Sequence, residues 1–282
     1  MRKGLLPVVG AHIYHQQRGS GPFLLIIPGG PGDADASAGL VRYLENSYRV
    51  VTFDRRGQSR SPLDKGAGVA GVETHCDDVH LLLESLTQEP VYVLGSSLGA
   101  LIGLDLVTRY PQQVSALVAH EPPSTDLLDE SHRAAAVQDR EKAEELFHRD
   151  GVLAALRKFI EFTGVRRDGR EPDAEVFRPT AATTANAEFF FASDAPAVRG
   201  YRLDLEKLRK SPVRIVPAAG STNRDVWLHQ CGRGLAAQLG QNLVEFPGGH
   251  GAFSSHPRGF SSKLDEVLRA KTTSASTALR GC

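Results

Sequence analysis

Ser97 stands in Gly95-Ser96-Ser97-Leu98-Gly99, between an apolar run, Val91-Tyr92-Val93-Leu94, and a second apolar stretch from Ala100 to Tyr110. A serine hydroxyl attacks a carbonyl only when a base takes its proton, and that base needs an acceptor to set its tautomer. Gly-x-Ser-x-Gly between a buried strand and a helix has the form of a nucleophile elbow, a turn so sharp that the flanking positions must lack bulk. The hydroxyl is then held at the helix N-terminus, where the N–H of Leu98 and the positive end of the helix dipole can stabilise an oxyanion. His250, in Gly248-Gly249-His250-Gly251, is the expected base; of ten histidines it alone stands in such a loop after an apolar run. Pro28-Gly29-Gly30-Pro31-Gly32 follows another apolar run and lacks the Gly-Lys-Ser/Thr ending of a phosphate loop. Its bare backbone is the expected source of a second oxyanion donor, the N–H of Gly30.

The acid is open on the residues alone. The usual chain order is Ser, Asp or Glu, His. At the common site, after the strand Val213–Val216, Gly220-Ser221-Thr222-Asn223 puts an amide where a carboxylate would stand. Asn223 could orient an imidazole but not stabilise its charge. Asp225 is an alternative acid, although at the start of the next helix an aspartate has an ordinary capping task. Glu121, in His120-Glu121-Pro122-Pro123 just past another strand end, is the third candidate. His120 is expected to point opposite to Glu121. Asp54, in the turn-forming Asp54-Arg55-Arg56-Gly57, is expected to anchor backbone N–H groups.

These groups require an α/β chain: a mostly parallel central sheet flanked by helices, with an inserted helical cap. The expected strands are Val8 to Gln16 (a strand or hairpin), Phe23–Ile27, Arg49–Phe53, Val91–Leu94, Val114–Ala119, Val213–Val216 and Leu243–Phe246. Cys76, Val79, Leu83 and Leu86 recur at helical spacing, as do Leu228, Cys231, Leu235 and Leu239. Strand–helix alternation breaks between 124 and 208, where Asp129–Arg149, Val152–Thr163 and a segment carrying Phe189-Phe190-Phe191 look helical. The division is therefore core 1–123, cap 124–208 and core 209–270, followed by a polar tail, 271–282, expected to be disordered. The three phenylalanines either line an apolar acyl or ring pocket or pack the cap onto the core.

Lys plus Arg equals Asp plus Glu, at 33 each, so no overall field favours nucleic acid or an anionic membrane. No stretch reaches transmembrane length, and the first apolar run is too short for a signal peptide. Cys76, Cys231 and Cys282 show no metal spacing and suit reduced thiols in a cytoplasmic protein. The expected partner is a small molecule, with no cofactor and no metal; the oligomeric state is unknown.

The Pro28–Gly32 loop, Asp54 to Ser61, the elbow and Gly248-Gly249-His250 together resemble the α/β-hydrolase superfamily over nearly the whole chain. The first two are also similar to those of proline iminopeptidases, which carry a tryptophan after the nucleophile where this chain has Leu98. Within the superfamily the chain resembles the fungal zearalenone lactonases through His120-Glu121-Pro122-Pro123, Leu205 to Arg209, and Gly249-His250 with Ser255-His256-Pro257. That resemblance implies Glu121 as the triad acid and cleavage of a carboxylic ester or lactone by a serine hydrolase. The cap shows no such likeness. Haloalkane dehalogenases and epoxide hydrolases of this fold use an aspartate nucleophile, which Ser97 argues against. An aminopeptidase, which needs cap carboxylates such as Glu188 or Asp194 to hold an ammonium, and a non-catalytic ligand-binding protein are the alternatives.

Overall fold

Short runs of Val, Ile and Leu that are buried along their whole length belong inside a sheet covered on both faces. The computed structural model describes residues 1–165, 169–174 and 180–270. In it these runs form one eight-stranded sheet in the order β1-β2-β4-β3-β5-β6-β7-β8. The strands are β1 (Arg2–Val8), β2 (Ala11–Arg18), β3 (Phe23–Ile27), β4 (Arg49–Phe53), β5 (Val91–Ser96), β6 (Val114–His120), β7 (Arg214–Gly220) and β8 (Val244–Phe246). β1 and β2 form an antiparallel hairpin and β2 runs antiparallel to β4; the remaining pairings are parallel.

The N-terminal run is therefore a hairpin, and Val8 closes its first strand instead of opening a single one. β1 lies at the sheet edge and is largely exposed, so it carries no apolar signal. β7 runs on past Val216 to Gly220, because Pro217-Ala218-Ala219-Gly220 is small enough to continue, buried, between β6 and β8.

Alternate residues of each strand face opposite sides. Leu25, Ile27, Val93 and Leu117 join one core cluster, and Leu24, Ile26, Leu94 and Val118 the other. The first is covered by α2 (Val72–Leu86), α3 (Leu98–Arg109) and α9 (Trp227–Leu239), the second by α1 (Ala38–Leu44) and α11 (Pro257–Arg269). Cys76 and Cys231 are buried in the first cluster as free thiols. Between β6 and β7 the chain is helical: α4 (Glu130–Asp150), α5 (Val152–Thr163), α6 (Ala181–Phe189), a π-helical turn Phe190–Asp194, α7 (Ala195–Gly200) and α8 (Leu205–Lys210). The short α10 (Ala252–Ser255) follows His250. Cys282 and the tail expected to be disordered lie outside the described residues.

Candidate active site

Ser97 joins β5 to α3 at φ 55°, ψ −125°, a conformation that strains any residue with a Cβ. A Cβ at Gly95 would collide with the Gly99 carbonyl, and one at Gly99 with the Ile27 carbonyl, so both glycines are demanded by the turn. The Ser97 N–H donates to the His120 carbonyl at 2.9 Å, which ties the elbow to the end of β6. Leu98 is the first residue of α3, where backbone N–H groups have no acceptor within the helix.

Glu121 follows at once. It too has a positive φ, 49°, and its N–H donates to the Ala218 carbonyl at 2.9 Å. Its buried carboxylate accepts the Gly220 N–H at 2.9 Å through Oε1 and lies 2.6 Å from His250 Nδ1 through Oε2. Burial pushes the Glu121 carboxyl up, but the bonds from His250 and Gly220 and the charges around it outweigh burial and hold it at about 2. His250 is buried and lines the same pocket as Ser97. The His120 ring packs on Phe246 and Phe260, with its centre 6.4 Å from that of His250, and burial lowers its pKa to about 4.

The structure does not bring the other acid candidates to His250. The Asn223 amide donates to the Gly164 carbonyl at 2.5 Å. Asp225 is exposed. It does not cap α9 either, whose N-cap is Val226 with no side-chain bond. The Val226 N–H turns back to the Asn223 carbonyl, which leaves Asp225 on the outside of the bend.

Gly30 takes φ 39°, and a Cβ on its neighbour Gly29 would lie 2.8 Å from Ser97 Cβ, so this loop passes directly against the elbow. Its shape is set by Arg55, which donates to the Pro28 carbonyl at 2.8 Å and also to the Gly30 carbonyl. Arg55 in turn pairs with Asp194 at 2.9 Å, and His75 Nε2 lies 3.2 Å from the same carboxylate. Burial raises the Asp194 pKa, yet Arg55 and His75 together bring it below the ordinary value. Asp194, a cap carboxylate that an aminopeptidase could use, is thus engaged by a partner 139 residues away that nothing in its sequence neighbours announces. Asp54 does anchor backbone: it accepts the N–H groups of Ala34 and Arg60 and clamps the Arg60 guanidinium.

Ser97, Leu98 and His250 open onto one pocket. Phe159, Phe162, Phe190, Phe191 and Trp227 supply much of its wall. The three consecutive phenylalanines thus divide their work: Phe190 and Phe191 line the pocket, whereas the Phe189 ring abuts Gly57. Among the described residues no helix is long and apolar enough to cross a membrane.

A serine at a strand–helix turn, with a carboxylate–imidazole pair beyond the ends of the next strands, defines a class, and the comparisons agree. The chain belongs to the family described as alpha/beta hydrolase fold, whose profile matches residues 22–196. It is 39% identical over 272 residues to the protein named uncharacterized hydrolase YraK of Bacillus subtilis strain 168, covering 95% of this chain and 96% of that one. It is 25% identical to the zearalenone hydrolase of Bionectria ochroleuca, over 91% of this chain and 93% of that protein. In structure it is similar to a thermophilic esterase from Thermogutta terrifontis, with a TM-score of 0.73, 16% identity, and coverage of 95% of this chain and 98% of that one.

Proposed function

We propose that the protein is a serine hydrolase that cleaves a carboxylic ester or lactone through an acyl-enzyme. The observation that carries this reading is the 2.6 Å contact between His250 Nδ1 and Glu121, made by an imidazole that shares a pocket with the elbow serine. With Nδ1–H donated to the carboxylate, the other ring nitrogen is free to accept the Ser97 proton as Oγ attacks the acyl carbonyl. The N–H groups of Leu98 and Gly30 receive the oxyanion, a contribution of about 3 kcal/mol for each donor. Collapse breaks the C–O bond, and His250 returns its proton to the leaving alcohol. Water, deprotonated by the same imidazole, then releases the acid and restores Ser97.

Two observations favour esters and lactones over N-terminal peptides. Asp194 is committed to Arg55 and His75, and Glu188 is exposed on α6. Neither lines the pocket, and Glu144, which does, has its carboxylate engaged by Arg199, so none of the three is free to hold a substrate ammonium. The aromatic wall suits an apolar acyl group or ring, and the zearalenone hydrolases among the relatives make a lactone a natural member of the panel. The test is labelling with a fluorophosphonate probe, followed by turnover of aryl esters, lactones and aminoacyl amides. Expected are a label on Ser97 and faster turnover of esters or lactones than amides. An unlabelled Ser97 in folded protein, or a preference for aminoacyl amides, refutes the reading.

A further inference from the structure

Arg140, on α4, lines the pocket together with Ser97 and His250. Its Nη2 donates to the Pro123 carbonyl at 2.6 Å, and its guanidinium lies over the Trp227 ring, 4.8 Å from the centroid. Among the described residues no carboxylate pairs with it. One turn further along α4, Glu144 faces the same pocket, but its carboxylate is taken by both terminal nitrogens of Arg199. Trp227, in the same wall, has a buried indole N–H with no acceptor among the described residues.

A guanidinium stays protonated in proteins, and a charge in apolar surroundings ordinarily has a counter-charge. Burial, reinforced by the charges of Arg199 and Arg202, pushes the Arg140 pKa below its ordinary value, the direction expected of a cation without an anion. Among the described residues two guanidiniums and one carboxylate face the pocket, and the carboxylate is already engaged. The surplus is one positive charge, in a planar fork suited to a carboxylate.

We propose that the substrate carries a carboxylate, bound by Arg140 at the α4 wall, on an apolar skeleton whose ester carbonyl meets Ser97. A single surplus charge matches a monoanion better than a phosphate, which would bring up to two negative charges. Glu144 repels the same group, but its bond to Arg199 offsets much of that repulsion. The inference rests on the ester-hydrolase reading above.

The experiment compares mono-4-nitrophenyl esters of linear dicarboxylic acids, from succinate to suberate, with 4-nitrophenyl esters of monocarboxylic acids of matched length. At the chain length that spans Ser97 to Arg140, the acidic ester should exceed its neutral match in kcat/KM by about tenfold, as a charge-assisted bidentate contact warrants. Arg140→Met should remove most of that ratio and Arg140→Lys should keep part of it. A wild-type ratio at or below one at every length overturns the proposal, as does a ratio that Arg140→Met leaves unaltered. The ratio is used because Arg140 also braces the loop after Glu121, so an overall loss of rate is uninformative. Should Arg140→Met not fold, Arg140→Lys and the wild-type series still decide.

Failure of the hydrolase reading is recognised separately, as turnover that survives Ser97→Ala or as no turnover of either series. In that event calorimetric binding of 4-phenylbutyrate against 4-phenylbutanamide carries the decision. A preference for the carboxylate that persists in Ser97→Ala and vanishes in Arg140→Met supports the site. Equal affinities overturn it.

Discussion

Glu121→Gln isolates what the buried carboxylate contributes. The Gln Oε1 can still accept the Gly220 N–H, as the Glu Oε1 does at 2.9 Å. The amide NH₂ is then turned to His250 Nδ1, in the place of an oxygen now 2.6 Å away. Two donors cannot face each other there, so the imidazole must carry its proton on Nε2, the nitrogen that should accept from Ser97. An amide in this position costs about 10⁴ in kcat in a comparable triad, and a loss of that order is expected here. The carboxylate also contributes stability. Its pKa lies at about 2 in the folded protein against an ordinary 4.5, and at about 1.4 kcal/mol per unit this amounts to about 3 kcal/mol. Because the folded value is depressed, that stability is present above pH 4.5 and is lost as pH falls towards 2. Gln forfeits it but also removes a buried charge, so the net loss at pH 7 should be smaller, about 1 kcal/mol. The assay is kcat on one activated aryl ester, with urea denaturation at pH 7 and through pH 5 to 3. The stability gap between wild type and variant should narrow over the acid range. A folded Glu121→Gln that keeps more than a tenth of wild-type kcat refutes the assignment.

Ser97→Gly should relieve the positive-φ strain at the elbow and stabilise the protein by about 1 kcal/mol, while kcat falls by about 10⁶; a destabilised variant in urea denaturation would count against a strained turn. Asp194→Asn leaves Arg55 buried without its anion and should cost about 3 kcal/mol in denaturation, with kcat lowered on every ester because the Gly30 loop is released; full kcat in the folded variant would uncouple that loop from Asp194. His120 is held neutral, at about 4 against an ordinary 6.5. The unfolded chain takes up this proton first as pH falls, so about 3 kcal/mol of stability should be lost between pH 6.5 and 4. His120→Phe should flatten that slope in urea titrations, and an unchanged slope would mean that His120 is protonated in the folded state. Asp225→Asn, exposed and not capping α9, should alter neither kcat nor melting temperature measurably.

The elements that announced themselves in the sequence were those whose signal is local. Buried strands such as Phe23–Ile27 and Arg49–Phe53 are continuous apolar runs, and the elbow needs Gly95 and Gly99 within four residues of each other. The edge strand β1 has no buried face to imprint an alternation, and β7 hid its last residues behind a proline and small side chains. At the site, chain order brought Ser97, Glu121 and His250 to strand ends, but it left Asp225 and Asn223 as rivals because each also follows a strand. The packing of β6 against β7, which no local pattern records, sets the Glu121 carboxylate between the Gly220 N–H and His250 and leaves Asp225 in solvent. The Arg55–Asp194–His75 cluster, and an Arg140 that no carboxylate among the described residues pairs with, have no sequence signature at all. Whether a charged side chain is neutralised depends on partners dozens of residues away, brought together or kept apart by how α4 and the π-helical turn lie on the sheet; apolar periodicity records which face of an element is buried, not which charge it meets there.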